Sequence, residues 1–151
     1  MTMPVINHFS ILAALAFLTL SGCTSSALRQ EISQPPVVVT KLVQSTQSWD
    51  GKRLPAYPTT QPELTILRIS ITPGARLPLH FHPVINAGVL LTGQLKIQTA
   101  SGETLHLKAG DPIIEIVNSV HYGINDGAVP AEIIVVYAGT VDQPITVVEK
   151  P

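Results

Sequence analysis

Residues 74–86, Gly-Ala-Arg-Leu-Pro-Leu-His-Phe-His-Pro-Val-Ile-Asn, set His80 and His82 one residue apart in a stretch bounded by Pro78 and Pro83. Side chains alternate faces along an extended chain, so residues two apart point the same way. His80 and His82 therefore share a face. Neutral imidazole is the commonest protein ligand for transition metals, and a pair at this spacing offers two adjacent coordination positions. A third ligand must come from elsewhere, and residues 110–125, Gly-Asp-Pro-Ile-Ile-Glu-Ile-Val-Asn-Ser-Val-His-Tyr-Gly-Ile-Asn, offer His121.

The sequence around these histidines reads as β structure. From Leu64 onward, short apolar runs are punctuated by Gly, Pro, Asn and Asp, which predicts strands at 64–71, 77–82, 88–92, 94–99, 104–108, 113–117, 121–124, 132–138 and 146–148. No helical period is sustained, and turn signals every eight to twelve residues indicate a sandwich or barrel. Pro73, Pro78, Pro112, Pro130 and Pro144 fall at strand edges, as sheet hydrogen bonding requires. The apolar fraction is 45% with 5% aromatics, so the expected core is aliphatic and rich in Val and Ile. Nine basic against ten acidic residues give a net charge of -1 without any basic cluster, which excludes the positive stripe of a nucleic-acid binder.

The N-terminus reads as an address. Residues 11–20, Ile-Leu-Ala-Ala-Leu-Ala-Phe-Leu-Thr-Leu, are too short to span a bilayer and suit the apolar part of a secretory signal. Leu20-Ser-Gly-Cys23 follows at once and resembles the lipobox of bacterial lipoproteins, which implies cleavage before Cys23 and lipidation of that residue. Cys23 is the single cysteine, so disulfides are excluded and the core must supply the stability. The resemblance implies a lipid-anchored protein of the bacterial cell envelope, and Thr24 after the cysteine favours the outer membrane or periplasmic face over the inner membrane. We therefore divide the chain into a signal peptide (1–22), a lipidated N-terminus and flexible tether (23–36), an N-terminal β/irregular segment packing on the barrel (37–63) and the barrel (64–151).

The two histidine stretches resemble the paired motifs of the cupins. Gly74, His80, His82, Asn86 and Gly93 reproduce the spacing of the first motif, with Asn86 where that motif has glutamate. Gly110, His121 and Asn125 reproduce the second, with Ile116 and Asn118 in place of its proline and glycine. Residues 46–57, including Ser-Trp-Asp-Gly, resemble the start of a group of small single-domain bacterial cupins. The resemblance implies an all-β, single-domain double-stranded β-helix, a jelly-roll barrel enclosing a pocket. It also implies that His80, His82 and His121 bind a divalent metal ion (Fe, Mn, Ni, Cu or Zn), with Asn86 as a fourth ligand or substrate contact. Dimers are common in the family, so a homodimer is left open.

Other residues carry alternatives. Glu115 alternates with Ile113 and Val117 and is either a pocket acid near the metal or an outward charge, the surface being favoured. His106 shares a face with Thr104 and Lys108 and reads as a solvated histidine. Tyr122 should face away from the site into core packing, and Asn125 reads as a structural turn residue. Trp49 and Tyr57 either lid the barrel mouth or staple the N-terminal segment to the outer sheet, the staple being favoured. Gly93 and Gly110 read as turn glycines of positive φ. Two function classes follow: a metal-dependent enzyme, read as an oxygenase acting on a small organic molecule, and a non-catalytic module that captures a small ligand or metal.

Overall fold

A computed structural model describes residues 36–150. The signal peptide, the lipobox and Cys23 lie outside the described residues. Nine strands are present among them: β1 (Pro62–Ile71), β2 (His80–Phe81), β3 (Ile85–Thr92), β4 (Gln94–Thr99), β5 (Thr104–Lys108), β6 (Pro112–Ile114), β7 (His121–Ile124), β8 (Ala131–Thr140) and β9 (Val147–Val148). They form two antiparallel sheets, ordered β1-β8-β3-β6 and β5-β4-β7-β2-β9. All strands and the site lie within the unit Val39–Pro151. No helix among the described residues is long and apolar enough to cross a membrane.

The four-stranded sheet is built on one long ladder, Pro62↔Thr140 through Ile71↔Ala131, between β1 and β8. β8 then pairs with β3, Ile85↔Ala138 to Thr92↔Glu132, with an irregularity between Leu90 and Thr92. Alternation along β8 turns Ala131, Ile133, Val135 and Tyr137 inward, and along β3 it turns Asn86 and Leu90 inward. Leu95, Ile97 and Leu107 face them from the other sheet, and these side chains make the aliphatic core.

Two departures from the sequence expectation have local causes. The run 77–82 is a strand only at His80–Phe81, because Pro78 and Pro83 lack the N–H a ladder needs. Leu77 instead bonds singly to Gly123, N to O at 2.9 Å. The Val-rich run from Val37 to Val43 forms no strand and leaves Val37, Val39 and Leu42 exposed. β propensity expresses a fit to a neighbouring strand, and this run has none in the chain described. Packing of the N-terminal segment begins further on, where the backbone N–H of Trp49 donates to the Ile114 carbonyl at 3.0 Å.

The turns follow the expected chemistry. Gly93 sits at φ 74°, and a Cβ there would stand 2.6 Å from the Pro130 carbonyl oxygen. Asn118 takes φ 55°, in the left-handed region that asparagine tolerates better than most residues, at the position where the cupin motif has glycine.

Candidate metal centre

Strand pairing brings the histidines together. His80 of β2 lies directly opposite His121 of β7. His82, two residues on, shares the inward face and is held by a bridge to Val117 and by the Asn118 N–H, which donates to the His82 carbonyl at 2.8 Å. The ring centroids stand 4.9 Å (His80–His82), 4.5 Å (His80–His121) and 5.1 Å (His82–His121) apart. All three residues are buried.

Each ring is oriented by a backbone carbonyl. His80 Nδ1 meets Pro78 O at 2.7 Å, His82 Nδ1 meets Ile145 O at 2.8 Å, and His121 Nδ1 meets Ser119 O at 2.8 Å. A carbonyl only accepts, so each Nδ1 carries the proton and each Nε2 of a neutral ring keeps its lone pair. Burial pushes all three imidazoles down, His82 to about 4, so neutral rings prevail near neutral pH. One ligand atom from each histidine lies within 4.8 Å of the others. Ligand atoms sharing one ion at about 2.1 Å stand up to about 4.2 Å apart, so small ring rotations complete a three-nitrogen site. Ligating histidines held through the other ring nitrogen are the usual outer arrangement of metal sites. The donor set fits a divalent transition metal.

The cluster opens on a cavity of about 200 Å³ walled largely by aliphatic side chains from both sheets, Leu67, Ile69, Leu95 and Val135 among them. Asn86 lies in its wall, 2% exposed, and its side chain makes one long bond, Nδ2 to Val84 O at 3.4 Å.

Glu115 corrects the surface expectation. It is 8% exposed and lines the cavity, on the same face as Ile113. Trp49 Nε1 donates to its Oε1 at 2.9 Å, and the Ile116 N–H donates to the same oxygen at 3.1 Å. Burial pushes its carboxyl up, partly offset by these two donors. Trp49 thus acts as a staple that reaches the site, whereas Tyr57, 77% exposed, is neither lid nor staple. Tyr122 faces away from the cavity but not into the core: the Arg76 guanidinium lies 3.6 Å over its ring, and its hydroxyl donates to Gln98. His106 is exposed on β5. Asn125 is fully buried and structural, donating from Nδ2 to Ile71 O and Val129 O at 2.8 Å and accepting from Gly127 N–H at 2.9 Å.

Two cavity residues carried no sequence expectation. Tyr137 pairs with Asn86 across β8 and β3, its ring lies 5.4 Å from His82, and burial pushes its phenol up to about 12. Thr146 lines the cavity and places its hydroxyl 3.2 Å from His82 Nδ1. Alternation with Ile133 and Val135 is the signal that marks Tyr137 as inward.

Residues 67–137 match the family model described as a cupin domain. The chain folds as a cupin. A solved structure similar to it is an uncharacterized conserved protein with a double-stranded β-helix domain from Klebsiella pneumoniae, 20% identical over 74% of this chain and 100% of that one, with a TM-score of 0.51. Another is the DMSP lyase DddQ from Ruegeria pomeroyi, 19% identical over 58% of this chain and 44% of that one, with a TM-score of 0.51. An oxalate oxidase in complex with the substrate analogue glycolate is 20% identical over 56% of this chain and 45% of its own, with a TM-score of 0.49. The chain spans less than half the length of the lyase and the oxidase, and the likeness to the Klebsiella protein and the lyase concerns the fold. No curated protein matches by sequence.

Proposed function

We propose that this cupin holds a divalent transition metal through His80, His82 and His121 and acts with it on a small organic molecule in an oxygenase-type reaction. One observation carries the reading: three buried imidazoles each bring a ligand atom within 4.8 Å of the others, while every Nδ1 is committed to a backbone carbonyl. A metal bound by three neutral nitrogens keeps open positions and supplies Lewis-acid or redox chemistry there. The residues do the rest. The aliphatic wall excludes water and admits a molecule of a few carbon atoms, in keeping with a cavity of about 200 Å³. Tyr137 retains its proton and donates a hydrogen bond to a polar group of that molecule, while Glu115 gives the cavity an ionisable group, which catalysis needs within reach of the substrate.

Oxygen uptake by the iron-loaded protein across a panel of small organic acids, thiols and alcohols tests this reading. Metal-dependent uptake with one of them supports it. Saturable binding without turnover supports a capture module instead, a reading favoured by the largely aliphatic wall. The envelope placement is part of the same proposal and rests on the Leu20-Ser-Gly-Cys23 motif. Incorporation of a labelled fatty acid that disappears in Cys23→Ser is the expected result, and equal labelling of both forms contradicts it.

A further inference from the structure

Glu115, directly after β6, stands beside Asn86 of β3. Its backbone N–H donates to the Asn86 carbonyl at 3.1 Å, continuing the β3–β6 register of Gly88↔Ile113 and Ala87↔Ile114. Side chains directly opposite on such strands start about 4.5–5.5 Å apart, so a carboxylate at 115 reaches the space that one at 86 would occupy. Asn86 is neutral, and three neutral imidazoles leave the full charge of a divalent ion in an aliphatic cavity. A buried cation without a countercharge is costly.

The same carboxylate lacks a cation of its own. Among the described residues its one ion-pair neighbour is His121, Oε1 to Nε2 at 3.8 Å. Both hydrogen bonds it accepts fall on Oε1. Two bonds of about 2.1 Å to a shared ion span up to about 4.2 Å, so the spacing of Glu115 and His121 suits a shared ion, with a side-chain adjustment bringing the carboxylate to His80 and His82. Trp49 fixes the carboxylate there, and Trp49 is itself fixed. Its backbone N–H is bonded to Ile114 O, and it is the second residue of the tight turn in which Gly51 N donates to Ser48 O at 2.9 Å.

We propose that the carboxylate of this metal site has moved one strand over, from the position of Asn86 to Glu115, and that the Trp49 indole N–H positions it. The inference rests on the three histidines holding a metal. It assigns Glu115 as the charge-neutralising ligand and Trp49 as a positioning residue.

Zn(II) alone, titrated into the full-length apo protein against a chromophoric chelator, tests it together with the emission of Trp49, the single tryptophan. In the wild type, Zn(II) shifts Trp49 emission on binding. In Glu115→Gln, which keeps an oxygen for the indole to donate to, Zn(II) affinity falls about tenfold or more and the emission shift disappears. Asn86→Glu added to Glu115→Gln restores affinity without restoring the shift. Unchanged affinity and an unchanged shift in Glu115→Gln, with its apo circular dichroism matching the wild type, overturn the inference. Failure of the underlying reading is distinct: Zn(II) would then not bind the wild type, or would bind His82→Ala equally well.

Discussion

The two sheets divide the labour. The five-stranded sheet is short and interrupted, with β2 cut to His80–Phe81, yet it carries His80 and His121, holds His82 just past the end of β2, and supplies the orienting carbonyls from its connecting segments. The four-stranded sheet has the ten-residue strands β1 and β8 and contributes Leu90, Ile133 and Val135 to the core, together with Asn86 and Tyr137, and Glu115 follows directly on its strand β6. A long ladder tolerates polar intrusions because its register is already fixed along its length. A proline-broken strand suits ligands, because carbonyls freed from the ladder are available to hold imidazoles. Stability should therefore reside mainly in the four-stranded sheet, while the imidazoles of the metal site gather at the five-stranded one.

The largest effect on stability is expected from Leu90, which is fully buried. Leu90→Ala should cost about 3 to 5 kcal/mol in denaturant unfolding. A cost under about 1 kcal/mol would break the division between the sheets. Acid comes next. The unfolded His82 imidazole takes its proton near pH 6.5 and the folded one near 4, so its contribution is full above 6.5 and is lost as pH falls between those values. That loss amounts to up to about 3 kcal/mol for the apo protein. Glu115, pushed up by burial, works in the opposite sense as pH rises past 4.5. Melting temperatures from pH 7 to 4 should fall less steeply in His82→Gln than in the wild type, and equal slopes would remove His82 as the cause.

A smaller cost belongs to Asn125, whose amide ties the end of β1 to the turn before β8. Asn125→Ala should lose about 2 kcal/mol, measured by chemical unfolding, because buried carbonyls lose their donor. Tyr137→Phe should be the mildest, changing stability by under about 1 kcal/mol and leaving metal content intact while altering ligand binding or turnover. Loss of metal in that variant would move part of the metal site onto the four-stranded sheet's phenol and blur the comparison.

The histidines were legible because strand alternation and pairing are short-range rules: spacing sets His80 and His82 on one face, and β2 opposite β7 brings His121 to them. Strand positions of β3, β4, β5, β7 and β8 were legible for the same reason, through the Gly, Pro and Asn turns between them, whereas the run expected as a strand at 113–117 pairs only at Pro112–Ile114. Glu115 was misplaced because β6 carries isoleucine on both faces, Ile113 inward and Ile114 outward, so polarity alone gave no sense of which side was the core. Tyr137 was missed in a strand that is likewise apolar on both faces. The role of Trp49 depends on a partner 66 residues away, which no local pattern encodes. The run from Val37 to Val43, the β-rich part of the segment read as β/irregular, forms no strand, since strand-forming residues make none without an edge to join.

The central claim is that His80, His82 and His121 hold one metal ion. Elemental analysis of the full-length protein, purified without chelator or affinity metal and compared with His82→Ala, tests it most directly. The account predicts near-stoichiometric transition metal in the wild type and a severe loss in the variant, with the fold of the variant preserved. Equal metal content in the two proteins, or none in either, would contradict it.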